Sequence, residues 1–357
     1  MNNNGDCLLA TTIARQIKND YPNSCLTWAI GECCESILIN NPYVDRVLKI
    51  PLSSISPESV IKAWEDFVKL VTQQKEDGIY DLLYFTQYSY GRYENFMGIT
   101  RASIFSGYPS AVTVPLNPVL QLTSVEKQNV ELFSRKNRLE KYSKVILFEC
   151  TAFSGQSFID TNFINEFCKL IFTIKHEYCV ILSSKDKFDL KFYNVIDASD
   201  LTFRENAELI NYCDLFLGCS SGISWLSISN AAKEIPKILL LNDNCPQASM
   251  ILDHKYFNLP HDKIVELRKC NPEEVLRLIE NSDFNDTRFD TLKIRFNYRD
   301  AVIFKPFDHQ LAYKNWRNVL IIIKKANISE KTALFFRFSR WFSLKLFYYL
   351  KSLLSKS

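Results

Sequence analysis

The chain has 357 residues, which favours two domains over one, and its 47% apolar and 23% charged residues exclude a disordered or fibrous protein. A net charge of +3 is too balanced for a general nucleic-acid binder. No run reaches the roughly 18 apolar residues that a membrane-spanning helix needs. The eleven cysteines include no C-x-x-C pair and the four histidines no H-E-x-x-H, so zinc is not expected and a reducing, cytoplasmic compartment fits. The opening MNNNGDCLLATTIARQ lacks the basic region and long apolar core of a signal peptide.

In chain order, IARQIKNDY (13–21) has helical periodicity and SCLTWAI (24–30) reads as a strand. A short helix at 32–42, a strand at 44–51 and a long amphipathic helix at 57–74, with Pro57 in its first turn, follow. YDLLYFTQ (80–87) reads as a third strand. After a less regular stretch, 123–142 predicts a charged bridging helix. A second alternation then gives strands at 144–149, 178–184, 194–199, 214–218 and 236–243, with helices at 160–175, 204–212, 223–233 and 271–281. Two tandem β/α units predict two Rossmann-like domains facing a cleft, at 1–140 and 141–285. A crossing helical segment at 286–330 and a basic tail at 331–357 complete the chain. Ligands of open parallel sheets bind beyond the carboxyl ends of the strands.

Three polar stretches fall at such places. CDLFLGCSSGISWL (213–226) ends an apolar strand on Ser220, Ser221 and Gly222, just where a helix beginning with Ile223 should start. The unpaired amides of a helix start attract a phosphate or diphosphate, although either serine can instead serve as a simple cap. CTAFSGQS (150–157) follows another strand, as a second phosphate loop or as an ordinary polar loop. Asp6, beside Gly5 at a helix start, is either a cap or a general base at a cleft edge.

In this order the pieces resemble glycosyltransferase family 9, the bacterial ADP-heptose:lipopolysaccharide heptosyltransferases. The resemblance rests on GDCLLATTIARQIKNDYPNSCLTWAI with NNPYVDRVLKIP, and on FRENAELINYCDLFLGCSSGISWLSISNAAKEIP. It covers about residues 5–51 and 144–281. It implies the GT-B fold and an inverting, metal-independent transfer of a sugar from a nucleotide-diphosphate donor to a lipopolysaccharide or other surface glycan, with no cofactor. It implies Asp6 as the base. Ser220, Ser221 and Gly222 match the family's D-[ST]-G, and Trp225 stands where its histidine would be. Thr151 and Ser154 match the phosphate loop, Lys185 is the nearest cation, and Leu201 and Phe203 lie where the nucleotide base packs. The family's phosphate-loop lysine has no clear equivalent. Its opening apolar strand is replaced by MNNN, so either the true start lies upstream or the copy is degenerate. A catalytically impaired member, binding nucleotide sugar or glycan without turnover, is the alternative; a nucleotide-sugar epimerase is disfavoured by the scarcity of histidine.

Residues 331–357 carry six Lys or Arg and no acid. At 100° per residue the cations gather on one side, and Phe335, Phe336, Phe342, Leu346, Leu350, Leu353 and Leu354 on the other. This predicts a helix at an anionic membrane surface, peripheral on the inner face of the bacterial inner membrane, or one whose apolar face packs on the protein.

Overall fold

The computed structural model describes residues 3–52, 57–88, 95–152, 155–281, 286–296 and 316–354, with Arg299, Ile303, Phe304, Phe307, Asp308 and Leu311 between the last two stretches. The first unit opens on α1 (Asn4–Asp20), which starts nine residues before the predicted helix. Strands β1 (Thr27–Gly31) and β2 (Arg46–Ile50) pair in parallel, Thr27 opposite Arg46. Residues Glu32–Leu38 between them form tight 3-10 turns, and α2 (Pro57–Glu76) and α3 (Thr100–Phe105) follow.

The predicted third strand at 80–87 is not one. The segment has no regular secondary structure and lines an open groove together with β1. The groove holds about 1080 Å³ counting its mouth, and Ala10, Ile13, Ala14 and Ile17 of α1 line it together with Leu82–Gln87 and Thr27–Ala29. A strand is defined by a hydrogen-bonded neighbour about 4.8 Å away, and across the groove this segment has no ladder to join.

Helix α4 (Ser124–Asn137) bridges to the second unit. Thr123 and Glu126 form a reciprocal capping box at its start, and Arg138 ends it in the left-handed region at φ 50°. The second unit then alternates regularly. It contains β3 (Lys144–Glu149), α5 (Thr161–Ile174), β4 (Tyr178–Ser183), β5 (Val195–Asp197), α6 (Glu205–Leu209), β6 (Leu215–Gly218), α7 (Gly222–Leu226), β7 (Lys237–Leu240), α8 (Met250–Tyr256), β8 (Ile264–Leu267) and α9 (Pro272–Asn281). Its six strands are all parallel, in the order β5-β4-β3-β6-β7-β8. The chain winds outward on one side of β3 and then returns to lay β6 on its other side. The switch point of the sheet therefore falls between the carboxyl ends of β3 and β6.

One apolar cluster runs without a break through both units. It joins Cys7, Leu8 and Leu9 of α1 to Leu120, Leu147, Phe216 and Trp225. A second covers the opposite face of the larger sheet, with Phe148, Phe167 and Ile279. A third unites α10 (Trp316–Lys325) with α11 (Ile328–Leu354) through Val319, Ile322 and Leu334.

Two buried cations also tie the units together. Arg204, just before α6, bonds Glu126 Oε1 at 2.6 Å, the Gln121 carbonyl at 2.6 Å and the Ser36 carbonyl at 3.1 Å. Burial alone would raise the pKa of Glu126, but the bonds from Arg204 and Thr123 outweigh it and hold the carboxyl at about 2. Arg101 of α3 meets Asp253 of α8 at 2.6 Å, both side chains 1% exposed.

Candidate active site

The sheet's switch point brings Glu149, the last residue of β3, beside Gly218, the last of β6. A β-carbon at Gly218 would lie 2.9 Å from Glu149 Oε2 and 2.4 Å from the Phe216 ring, so glycine there makes room for both side chains. The Glu149 carboxylate is 1% exposed and turns onto the start of α7. Its Oε1 accepts from the amides of Ile223 (3.0 Å) and Ser224 (3.2 Å) and from the Ser221 hydroxyl (2.5 Å). Its Oε2 accepts from the Cys219 amide (3.1 Å), the Ser221 amide (3.4 Å) and the Ser224 hydroxyl (2.6 Å).

Glu149 thus occupies the helix start at which a diphosphate cradle was expected from Ser220, Ser221 and Gly222. The helix start does hold an anion, but the anion is the protein's own. A donor phosphate reaches these amides only if Glu149 leaves them. Ser220 also turns away: it sits in the left-handed region at φ 55°, is 3% exposed, and gives its hydroxyl to the Ala248 carbonyl. Its carbonyl accepts from the Gln156 amide nitrogen at 3.0 Å.

The two glycines flanking the unit boundary likewise serve the protein's own packing. A β-carbon on Gly222 would meet the Phe203 ring at 3.0 Å, Asn4 Cβ at 3.4 Å and the Gly5 nitrogen at 3.5 Å. One on Gly5 would meet Trp225 Cδ1 at 3.0 Å. Gly222 thus admits the head of α1. Trp225, which stands where the resembled family has a histidine, is 5% exposed and wedged between Gly5 and the Arg101 guanidinium, which lies 5.9 Å from its ring. Phe203 covers Gly222, and Leu201, Phe203 and Ile223 are half-buried against the shared core. Thr151 is half-buried, and its carbonyl lies 3.5 Å from the Ser221 hydroxyl. Lys185 is exposed on the loop after β4, and Ser154 lies outside the described residues.

Asp6 is in the first turn of α1, half-buried at this same boundary. The Tyr88 hydroxyl donates to its Oδ2 at 3.2 Å. Burial pushes the Asp6 carboxyl up from the ordinary aspartate range, while the bonds from Tyr88 and Asn3 pull it part of the way back. A carboxylate poised above its ordinary range, at the head of a helix that touches the other unit, can accept a proton from a substrate hydroxyl. The head of α1, which carries Asp6, thus meets α7, Thr151 reaches Ser221, and Lys185 is exposed on the loop after β4.

Neither a family model nor a curated protein matches the sequence. The fold does match solved structures. Escherichia coli ADP-heptose lipopolysaccharide heptosyltransferase II superposes with a TM-score of 0.51 at 15% identity, over 79% of this chain and 96% of that one. A glycosyl transferase family 9 structure from Veillonella parvula also gives 0.51, at 11% identity over 88% and 94% of the two chains. The chain therefore has the two-unit GT-B architecture seen in heptosyltransferase-like structures of glycosyltransferase family 9.

Proposed function

We propose that the protein is a glycosyltransferase that moves a sugar, heptose or another, from a nucleotide-diphosphate donor to a lipopolysaccharide or other surface-glycan acceptor, with inversion and without a metal. The observation that carries this reading is Asp6, a carboxylate of raised pKa held at the boundary of the two units of a GT-B fold. Asp6 takes the proton of an acceptor hydroxyl. The freed oxygen bonds to the anomeric carbon from the face opposite the diphosphate. The carbon–oxygen bond to the diphosphate breaks, and its electron pair leaves with the nucleoside diphosphate. A lipid-linked acceptor would place the reaction at the inner face of the inner membrane, with the protein cytoplasmic and peripheral.

Glu149 favours a second reading. With the α7 amides already bonded to a carboxylate, a diphosphate leaving group lacks its expected electrostatic support. The protein would then bind nucleotide sugar or glycan without turnover. The full chain, presented with ADP-, GDP-, UDP- and CDP-sugars and a lipopolysaccharide acceptor, separates the two. Transfer that drops about 100-fold or more in Asp6→Asn supports the first. Saturable donor binding with no transfer by the parent supports the second. Full transfer by Asp6→Asn removes Asp6 from the mechanism.

A further inference from the structure

Helix α11 is held to the protein by one face and leaves the other bare. Leu334 is 2% exposed in the third core, and Phe338 and Trp341 pack against that core, with Trp316 of α10 stacked edge-on against both rings. Arg337, on the same side, is paired with Asp308 and lies over the Phe304 ring at 4.7 Å. The packed side is therefore the one where the cations gather, and the apolar side faces outward. Ile328, Phe335, Phe336 and Phe342 are 85%, 66%, 68% and 54% exposed. Lys331, Arg340 and Lys345 are exposed at the flanks of this ridge.

We infer that this ridge is a docking surface for an anionic lipid bilayer, lying in the interface with the phenylalanines inserted and the flanking cations on the headgroups. Charge complementarity selects the occupant: the 331–357 stretch carries six basic residues and no acidic one. Lys331, Arg340 and Lys345 stand exposed beside the ridge, and an anionic leaflet attracts each surface-near cation by about 1 kcal/mol. Spanning is excluded for this segment, since among the described residues no helix is long and apolar enough to cross a membrane. The alternative that this apolar side packs on the protein is not what the helix does from Ile328 to Lys345. The inference stands on α11 alone and does not depend on which reaction the protein performs.

The test is co-sedimentation of the full chain with phosphatidylglycerol-containing vesicles and with pure phosphatidylcholine vesicles. The expected result is binding to the anionic vesicles that weakens as salt is added. Partitioning should fall at least tenfold in the triple variant Phe335→Ser, Phe336→Ser, Phe342→Ser, and likewise in Arg340→Glu, Lys345→Glu. These side chains are exposed, so circular dichroism of both variants should match the parent. Equal binding to both vesicle types, or unchanged partitioning in the triple variant, overturns the inference. So does a lipid-free dimer, seen by light scattering, that the triple variant dissolves, because it would assign the ridge to a second copy of the chain.

Discussion

Replacing Glu149 probes the centre of the second unit. Six donors converge on its carboxylate, five of them within 3.2 Å, and the site is 1% exposed. A hydrogen bond to a charged group contributes about 1.5–3 kcal/mol, but bonds sharing one acceptor do not add. In Glu149→Ala the Ser221 and Ser224 hydroxyls can rotate to other acceptors, whereas the amides of Cys219, Ile223 and Ser224 stay fixed. Each buried orphan costs about 1–3 kcal/mol, reduced where water enters the space left behind. The expected loss is about 4 kcal/mol, and about half that for Glu149→Gln, which keeps one acceptor oxygen. Urea unfolding followed by circular dichroism reads the difference. The same variant clears the α7 amides, so a nucleoside diphosphate should raise the unfolding midpoint of Glu149→Ala more than that of the parent. A loss below about 1 kcal/mol would show that the carboxylate does not organise this helix start.

Other outcomes follow from groups already placed. Because the Tyr88 hydroxyl stabilises the charged form of Asp6, Tyr88→Phe should push that carboxyl further up, moving the acid limb of the transfer-rate profile to higher pH. Arg101→Met should destabilise by about 3–5 kcal/mol in a urea titration at pH 8, since it strands the Asp253 carboxylate in the core. Glu266, fully buried and pushed up by burial to about 7, binds its proton more tightly folded than unfolded. Its contribution is therefore complete below about pH 4.5 and lost as pH rises through 7. Glu266→Gln should flatten that part of the stability profile, a span on the order of 3 kcal/mol. Glu126 has the opposite sign: its stabilisation is present above about pH 4.5 and fades as pH falls through about 2. Glu126→Gln should remove that acid-side loss in the same titration.

The larger sheet was legible because buried parallel strands are unbroken apolar runs, and KVILFE, YCVILS and LFLG differ plainly from their surroundings. The same reasoning failed at YDLLYFTQ, whose apolar character reflects the groove wall it lines rather than a ladder. It also missed β8, because IVEL carries a buried glutamate inside four residues. That glutamate accepts from the Ser249 hydroxyl (2.7 Å) and the Ile251 amide (3.0 Å), so it steadies the start of α8 much as Glu149 steadies that of α7. An acid closing an apolar strand was the available signal for Glu149, and it reads as an ordinary strand end until topology sets β3 beside β6. Asp6 was placed correctly at a helix start, but Tyr88, which bonds it, and Gly222 and Trp225, which pack on the adjoining Gly5, come from distant segments. Sequence spacing carries no trace of that meeting.

Helix α1 is enclosed from its second turn: Cys7, Leu8, Leu9 and Ala10 are 0% exposed, and the helix packs against α3, the 32–38 turns and α7. The seam between the two units is itself a piece of hydrophobic interior. Swinging the lobes wide would wet those four side chains and draw Gly5 off the Trp225 indole. A fragment cut after residue 140 should therefore emerge as a sticky, half-built body rather than a free-standing lobe.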